Sequence, residues 1–223
     1  MSSTASERFA TRTLADLAAT HPGVTAVFHR HKLDFCCGGR VGLAEAATAK
    51  GLDLGVLEAE LEAVVALGLP DAVPEETGAL IDLIETRFHA GHRRELPELL
   101  RLARRTEAAH RAHALAPHGI AALLGHIQEE LEAHMQKEEQ VLFPMMRRGG
   151  HPMIGQPIAV LLAEHDGHGA QLRALERVAH GFEPLEEACP TWRALYVGAR
   201  RLSEEVMEHI HLENNVLFPR FAA

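Results

Sequence analysis

The chain contains few cysteines, few aromatic residues and no long apolar run. Among its 223 residues are 3 cysteines, 1 tryptophan and 1 tyrosine, and aromatic residues make up 4% of the total. Three cysteines, two of them adjacent, cannot supply the framework of a disulfide-rich secreted domain, and they fit a reducing compartment. No run of about 18 apolar residues is present, and the polar N-terminus lacks the apolar segment of a signal peptide. The sequence therefore predicts a cytoplasmic protein with no membrane span.

A basic surface is also missing. The chain has 22 Lys and Arg against 31 Asp and Glu, which gives a formal net charge of -9 and a pI near 6.0. Nucleic acids and anionic membranes attract basic surfaces, so we expect neither as a partner. Hydrophobic residues make up 47% of the chain, which is enough for an ordinary globular core.

Histidine is abundant, with 16 residues, and several of the histidines fall in an internal repeat. His134-Met-Gln-Lys-Glu138 recurs 75 positions later as His209-Ile-His-Leu-Glu213, and Val-Leu-Phe-Pro follows each copy at the same offset. Residues four apart lie side by side on a helix, so each copy presents an imidazole beside a carboxylate. Burial of such groups without partners would cost several kcal/mol, on the order of 2–7 for a polar group. The repeat therefore predicts a metal site.

A second repeated element precedes each copy, His89-Ala-Gly-His92 in the first half and His165-Asp-Gly-His168 in the second. Two helix pairs related by duplication predict an all-α four-helix bundle, whose core can hold a di-iron carboxylate site. One histidine from each first helix and the His-x-x-x-Glu pair from each second helix give four imidazoles and two carboxylates. This donor set favours iron, with manganese as the alternative. Spacing leaves open which histidine of each His-x-x-His pair binds the metal.

Three polar residues beside these motifs are not interpreted as metal ligands. His211 lies on another helical face from His209, so we expect it to be exposed to solvent. Glu139 is expected to lie at the surface or behind a ligand. Glu164 adjoins His165 and could handle protons at the mouth of the site, although an ordinary surface acid is the simpler interpretation.

The composition predicts three regions. Residues 1–67 form a small domain in which residues 13–67 make three short helices, the first capped by Thr13. Residues 68–76 combine prolines, a glycine and acidic residues, which is typical of a linker. Residues 77–223 form the bundle, in which Pro144 and Pro219 are expected to end the two helices that carry the His-x-x-x-Glu pairs.

The segment Asp34-Phe-Cys-Cys-Gly-Gly39 lies in the small domain. Adjacent cysteines form strained disulfides and cannot wrap a tetrahedral ion as C-x-x-C does, which argues against a zinc site. If Gly38-Gly39 opened the next helix, its amide groups would lower the thiol pKa, and Cys36 and Cys37 would have a redox or metal-transfer role. The alternative is a tight turn of small buried residues.

These motifs together resemble the Repair of Iron Centres proteins over nearly the whole chain. The resemblance implies a hemerythrin-like antiparallel four-helix bundle with a small N-terminal helical domain. It also implies a non-haem di-iron centre of two oxo-bridged iron ions, with the two glutamates bridging them. The metal ligands would be His89, His134, Glu138, His165, His209 and Glu213.

The same resemblance implies a function. Such a protein would repair iron–sulfur clusters damaged by nitrosative or oxidative stress, by donating iron to iron–sulfur proteins as clients, and would form a homodimer. The vacant iron positions would also accept nitric oxide or oxygen as small ligands. The alternatives are a hemerythrin-like protein that binds nitric oxide or oxygen, an enzyme that reduces nitric oxide, and an iron store.

Overall fold

The computed structural model describes residues 7–67 and 73–221. Within these ranges the regular structure is helical, and the one β feature is an isolated bridge between Thr13 and Gly42. The prediction of an all-α fold is therefore confirmed. The described helices include none that is both long and apolar enough to cross a membrane. Residues 68–72 of the predicted linker lie outside the described ranges.

The N-terminal region consists of short helices around its own core. Thr13 caps the second helix as expected, since its Oγ1 accepts a hydrogen bond of 3.1 Å from the amide of Asp16. Residues 13–67 hold one more helix than the sequence suggested, because Gly23 adopts a left-handed conformation (φ 84°) and breaks the chain there. The helices are α1 (Glu7–Ala10), α2 (Leu14–Thr20), α3 (Val24–Arg30), α4 (Leu43–Lys50) and α5 (Leu54–Ala66).

A single apolar cluster holds these short helices together. Leu17, Phe28, Phe35 and Leu43 are completely buried in it, and Leu61 completes it from α5. Burial of each such side chain contributes about 1.5–3 kcal/mol relative to exposure in water. The segment between α3 and α4, which holds the two adjacent cysteines, is fixed through Phe35 because this side chain lies inside the cluster.

The remaining helices are long, and three of them contain a π-helical turn. Helix α6 consists of Thr77–Leu83, the π turn Ile84–His89 and Ala90–Ala109. Helix α7 consists of Ile120–Lys137, the π turn Glu138–Leu142 and Phe143–Arg147. Helix α8 is Gly155–Val178. Helix α9 consists of Pro190–Leu212 and the π turn Glu213–Leu217, and a 3₁₀ turn, Phe218–Phe221, follows it.

Side-chain pairs show that neighbouring long helices run antiparallel. Between α6 and α7, His89 contacts Glu139, while Arg93, about one turn later on α6, contacts Glu132, about two turns earlier on α7. Between α7 and α8, Lys137 contacts Glu164, and a pair nearer the start of α7 joins Glu130 to Gln171. Short connections between such helices are typical of an antiparallel bundle.

Packing contacts divide the described residues into two units. One contains the residues up to Glu76 and those from Met207 onward, and the other is Thr77–Val206. Helix α9 therefore begins in the second unit and ends in the first.

The expectation that Pro144 ends its helix is wrong, whereas helix α9 does end just before Pro219 and passes into a 3₁₀ turn. Pro144 lies inside Phe143–Arg147, and Pro219 lies inside Phe218–Phe221. In a regular α-helix a proline ring collides with the carbonyl four residues earlier. Each of these prolines lies two residues after the end of a π turn, whose wider backbone displaces that carbonyl. Helix α6 contains Pro97 in its interior and ends at Ala109.

Candidate metal centre

The carboxylate of Glu138 lies between two histidines in the unit formed by 77–206. Its Oε1 is 3.5 Å from Nε2 of His134, and its Oε2 is 3.4 Å from Nε2 of His89. All three side chains are at most 1% exposed. Each carboxylate oxygen thus faces a different imidazole, which is the arrangement required of a carboxylate that bridges two metal ions.

His165 brings a third imidazole to this cluster from α8. Its Nε2 lies 2.9 Å from Nε2 of His134, and the ligand atoms of His134, Glu138 and His165 lie within 4.8 Å of one another. Metal–nitrogen bonds of about 2.0–2.1 Å that meet at a right angle, as in octahedral coordination, place two neighbouring imidazole nitrogens of one ion about 2.9 Å apart. The nitrogen and oxygen donors present here fit iron or another first-row transition metal.

The second His-x-x-x-Glu pair has the same local form. Nε2 of His209 is 3.0 Å from Oε1 of Glu213, and both side chains are fully buried. The π turns of α7 and α9 begin at Glu138 and Glu213, and the π turn of α6 ends at His89. Such turns occur frequently at functional sites, where they reposition side chains that a regular helix would direct elsewhere.

Two further carboxylates hold the outer nitrogens of the histidines. Nδ1 of His89 lies 2.7 Å from Oε1 of Glu139, and Nδ1 of His134 lies 2.9 Å from Oε2 of Glu164. When Nδ1–H donates to a carboxylate, Nε2 is left unprotonated and becomes a stronger metal ligand. The interpretation of Glu164 as an ordinary surface acid is therefore wrong, because its carboxylate contacts the buried His134.

Basic residues keep these outer carboxylates ionised. Burial by itself would raise the pKa of Glu139, but hydrogen bonds from Arg93 and His89 lower it below its ordinary value. Burial opposes ionisation of Glu164 too, and hydrogen bonds from Lys137 and His134 again produce a lowered pKa. Both groups thus remain negatively charged beside their histidines at neutral pH.

Known proteins are similar to this chain in sequence. Residues 81–221 match the model of the hemerythrin HHE cation binding domain, and residues 10–65 match ScdA_N, a domain of unknown function (DUF542). The iron-sulfur cluster repair protein YtfE of Yersinia pseudotuberculosis serotype IB (strain PB1/+) is 44% identical over 211 residues, which cover 94% of this chain and 96% of the relative. The protein of the same name from Yersinia pestis (strain Pestoides F) has the same identity and coverage. The chain belongs to the Repair of Iron Centres family.

The structure corrects one expectation about the cysteines of this Repair of Iron Centres protein. The helix after Cys36 and Cys37 begins at Leu43, so the thiols do not lie at a helix N-terminus. A hydrogen bond to Cys37, burial and the negative charge of Asp34 raise the pKa of the Cys36 thiol well above its ordinary value. The structure therefore gives no helix-terminus reason for a reactive thiolate at Cys36, and a redox or metal-transfer role of Cys36 and Cys37 stays a prediction.

Other histidines of this family member are also buried. His211 is only 2% exposed, so its expected exposure to solvent is wrong. Its Nδ1 donates to the carbonyl of Phe35 over 3.3 Å. His92 and His168 are buried as well, and the ring of His168 lies edge-on to His134 at 5.0 Å. Neither is among the groups whose ligand atoms converge, which favours His89 and His165 as the ligands.

Proposed function

We propose that this protein repairs iron–sulfur clusters damaged by nitrosative or oxidative stress, and that it does so by donating iron. The iron would be held as a di-iron centre with Glu138 and Glu213 as the bridging carboxylates. The imidazole ligands would be His89, His134, His165 and His209.

The position of Glu138 is the observation that carries this proposal. Its two oxygens face two separate imidazoles at 3.4 and 3.5 Å inside a fully buried cluster. The equivalent pair on α9, His209 and Glu213, repeats the same spacing and burial. Six side chains shared by two ions leave coordination positions for an oxo bridge, water or a diatomic ligand.

Incomplete coordination by protein supports donation of iron. Iron bound here would supply a redox-active ion that nitric oxide or oxygen can reach. The side chains of the protein would hold that ion through neutral imidazoles and shared carboxylates, and the outer carboxylates Glu139 and Glu164 fix the orientation of two of the imidazoles.

The clients would be iron–sulfur proteins, as the name of the relatives suggests. On the resemblance to the family we further propose a homodimer in the cytoplasm, with nitric oxide or oxygen as small ligands of the iron. The acidic net charge of -9 is compatible with protein clients and unfavourable for nucleic acid.

Metal content and iron transfer test the proposal together. Protein purified without added metal should carry about two irons per chain, as expected for a dinuclear carboxylate site. Mixed anaerobically with a [4Fe–4S] enzyme damaged by nitric oxide, it should lose iron as the enzyme regains activity. Iron that stays bound while nitric oxide is bound or consumed would refute donation and favour a gas-binding protein. Many irons per chain would indicate a store.

Variants test the ligand assignment. Glu138→Ala or Glu213→Ala removes a bridging carboxylate, so each should lower iron content toward about one per chain. His211→Gln is the matched control, because it removes a buried imidazole from the same helix as His209 and should leave about two irons. Equal loss of iron in His211→Gln would refute the assignment.

A further inference from the structure

We propose that Asp34, Cys36 and Cys37 form a second, mononuclear metal site for a thiophilic divalent ion. The site lies in the turn between α3 and α4 and uses none of the ligands proposed for the di-iron centre. It goes beyond the repair function and does not depend on it.

The three donor atoms already converge. Sγ of Cys36 lies 3.7 Å from Sγ of Cys37 and 3.3 Å from Oδ1 of Asp34, and the three groups place their ligand atoms within 4.8 Å of one another. Zinc–thiolate bonds of about 2.3 Å put two sulfurs of one tetrahedral ion about 3.8 Å apart. The observed separation of the sulfurs therefore needs little change on binding. Asp34 supplies the third donor that the adjacent cysteines alone lack.

The carboxylate of Asp34 is held in place by the backbone of the turn. Its Oδ1 accepts hydrogen bonds from the amides of Cys37 and Gly38, each 3.0 Å long. The turn is also very tight, since a Cβ on Gly39 would come within 2.4 Å of the carbonyl oxygen of Phe35. The side chains that would bind the ion are thus attached to a backbone with little freedom to move.

Two residues of the π turn at the end of α9 fix the same turn from outside. The side-chain amide of Asn215 donates to the carbonyls of Phe35 and Cys36 over 3.3 and 3.2 Å. The amide of Asn214 also donates to the carbonyl of Cys36, over 3.4 Å. A turn held by this many bonds has lost most of its conformational entropy before an ion arrives, which favours binding.

Charge and access also suit a cation. Cys36 is 4% exposed, whereas Cys37 is partly exposed, so an ion can reach the sulfurs from the side of Cys37. The Asp34 charge and the neighbouring thiol resist ionisation of Cys36 in the metal-free protein. A divalent ion removes that resistance: it replaces the two thiol protons, which pass to solvent, and forms two metal–sulfur bonds. Three protein donors leave a fourth position for water, as in an open zinc site.

Cobalt(II) is the probe of choice, because thiolate–cobalt bonds give charge-transfer absorption that histidine and carboxylate ligands do not. Iron-loaded, reduced full-length protein should develop this absorption with about one equivalent of Co²⁺. Cys36→Ser and Cys37→Ser should each abolish it, and Cys189→Ser, which removes the third thiol of the chain, should retain it. Asp34→Asn keeps an oxygen that can accept the two amide hydrogen bonds but loses the charge, so binding should weaken at least about tenfold.

The site is refuted if Co²⁺ produces no sulfur absorption, or if the absorption survives replacement of both Cys36 and Cys37. Loss of the absorption in Cys189→Ser would also refute it, since the ion would then be bound elsewhere. A second measurement uses the unaltered protein, so its result does not depend on whether the variants fold. Added Zn²⁺ should protect two of the three thiols from alkylation, and equal alkylation with and without zinc would overturn the proposal. Iron transfer to a damaged cluster protein, measured on the same samples, reports separately on repair.

Discussion

Replacement of Glu139 by glutamine tests whether the outer carboxylates strengthen metal binding. The Glu139 carboxylate lies 2.7 Å from Nδ1 of His89 and also accepts hydrogen bonds from Arg93 over 2.7 and 3.1 Å. Glutamine keeps the shape and one acceptor oxygen but removes the charge that polarises the imidazole. Loss of such a partner weakens metal binding about 10–100-fold. This corresponds to about 1.4–2.7 kcal/mol.

Glu132 provides the matched control. It accepts hydrogen bonds from the same Arg93 over 2.8 and 3.1 Å but contacts no histidine of the cluster. Anaerobic competition for Fe²⁺ with a coloured chelator should therefore show much weaker iron binding by Glu139→Gln and less than about a twofold change for Glu132→Gln. Equal affinities of the two variants for iron would refute an effect of the Glu139 carboxylate through His89. The carboxylate would then affect iron binding only through its negative charge, as Glu132 does.

Two further predictions concern stability. Burial lowers the pKa of His211 from 6.5 to about 4, so its neutral form is favoured in the folded state. Because this pKa lies below the unfolded value, its contribution to stability is complete above about pH 6.5, and about 2 kcal/mol is lost between about pH 7 and pH 5. His211→Gln should remove this part of the pH dependence in urea unfolding at equal iron content. Gly39→Ala should destabilise the protein by about 1–3 kcal/mol, because its Cβ would meet the carbonyl oxygen of Phe35 at 2.4 Å.

Each stability prediction has a control. His126 is exposed, so His126→Gln should keep the pH dependence of the wild type. An unchanged slope in His211→Gln would contradict the buried neutral imidazole. Gly125 lies inside α7, where an added Cβ would meet nothing within 4 Å, so Gly125→Ala should stabilise by about 0.5–1 kcal/mol. A stable Gly39→Ala protein would mean that the turn can open.

Local rules predicted much of the fold and the identity of the clustered residues. The cap at Thr13 follows from one side chain and the amide three residues later, and the helix pairs follow from a repeat that is visible in the sequence. The convergence of His89, His134, Glu138 and His165 follows from a duplicated pattern on helical faces.

What the sequence missed depends on contacts between distant residues or on backbone irregularity. Glu139 contacts His89, which lies 50 positions away in the sequence, and the residues around neither position predict this contact. The π turn before Pro144 has no simple residue signature, so sequence reasoning interprets this proline as a helix end. It places His211 in solvent because helix periodicity does not show that the carbonyl of Phe35 lies beside it.

The two copies of the His-x-x-x-Glu pair differ at the residue that follows the glutamate. In the first copy this residue is Glu139, which supports a histidine of the cluster. In the second copy it is Asn214, which instead holds the backbone at Cys36. Gene duplication explains this difference. Once both copies carry the His-x-x-x-Glu pair, selection can act on the residue after each glutamate independently. A recombinant that exchanged Glu139 and Asn214 would therefore lose both specialisations, although its composition would be unchanged.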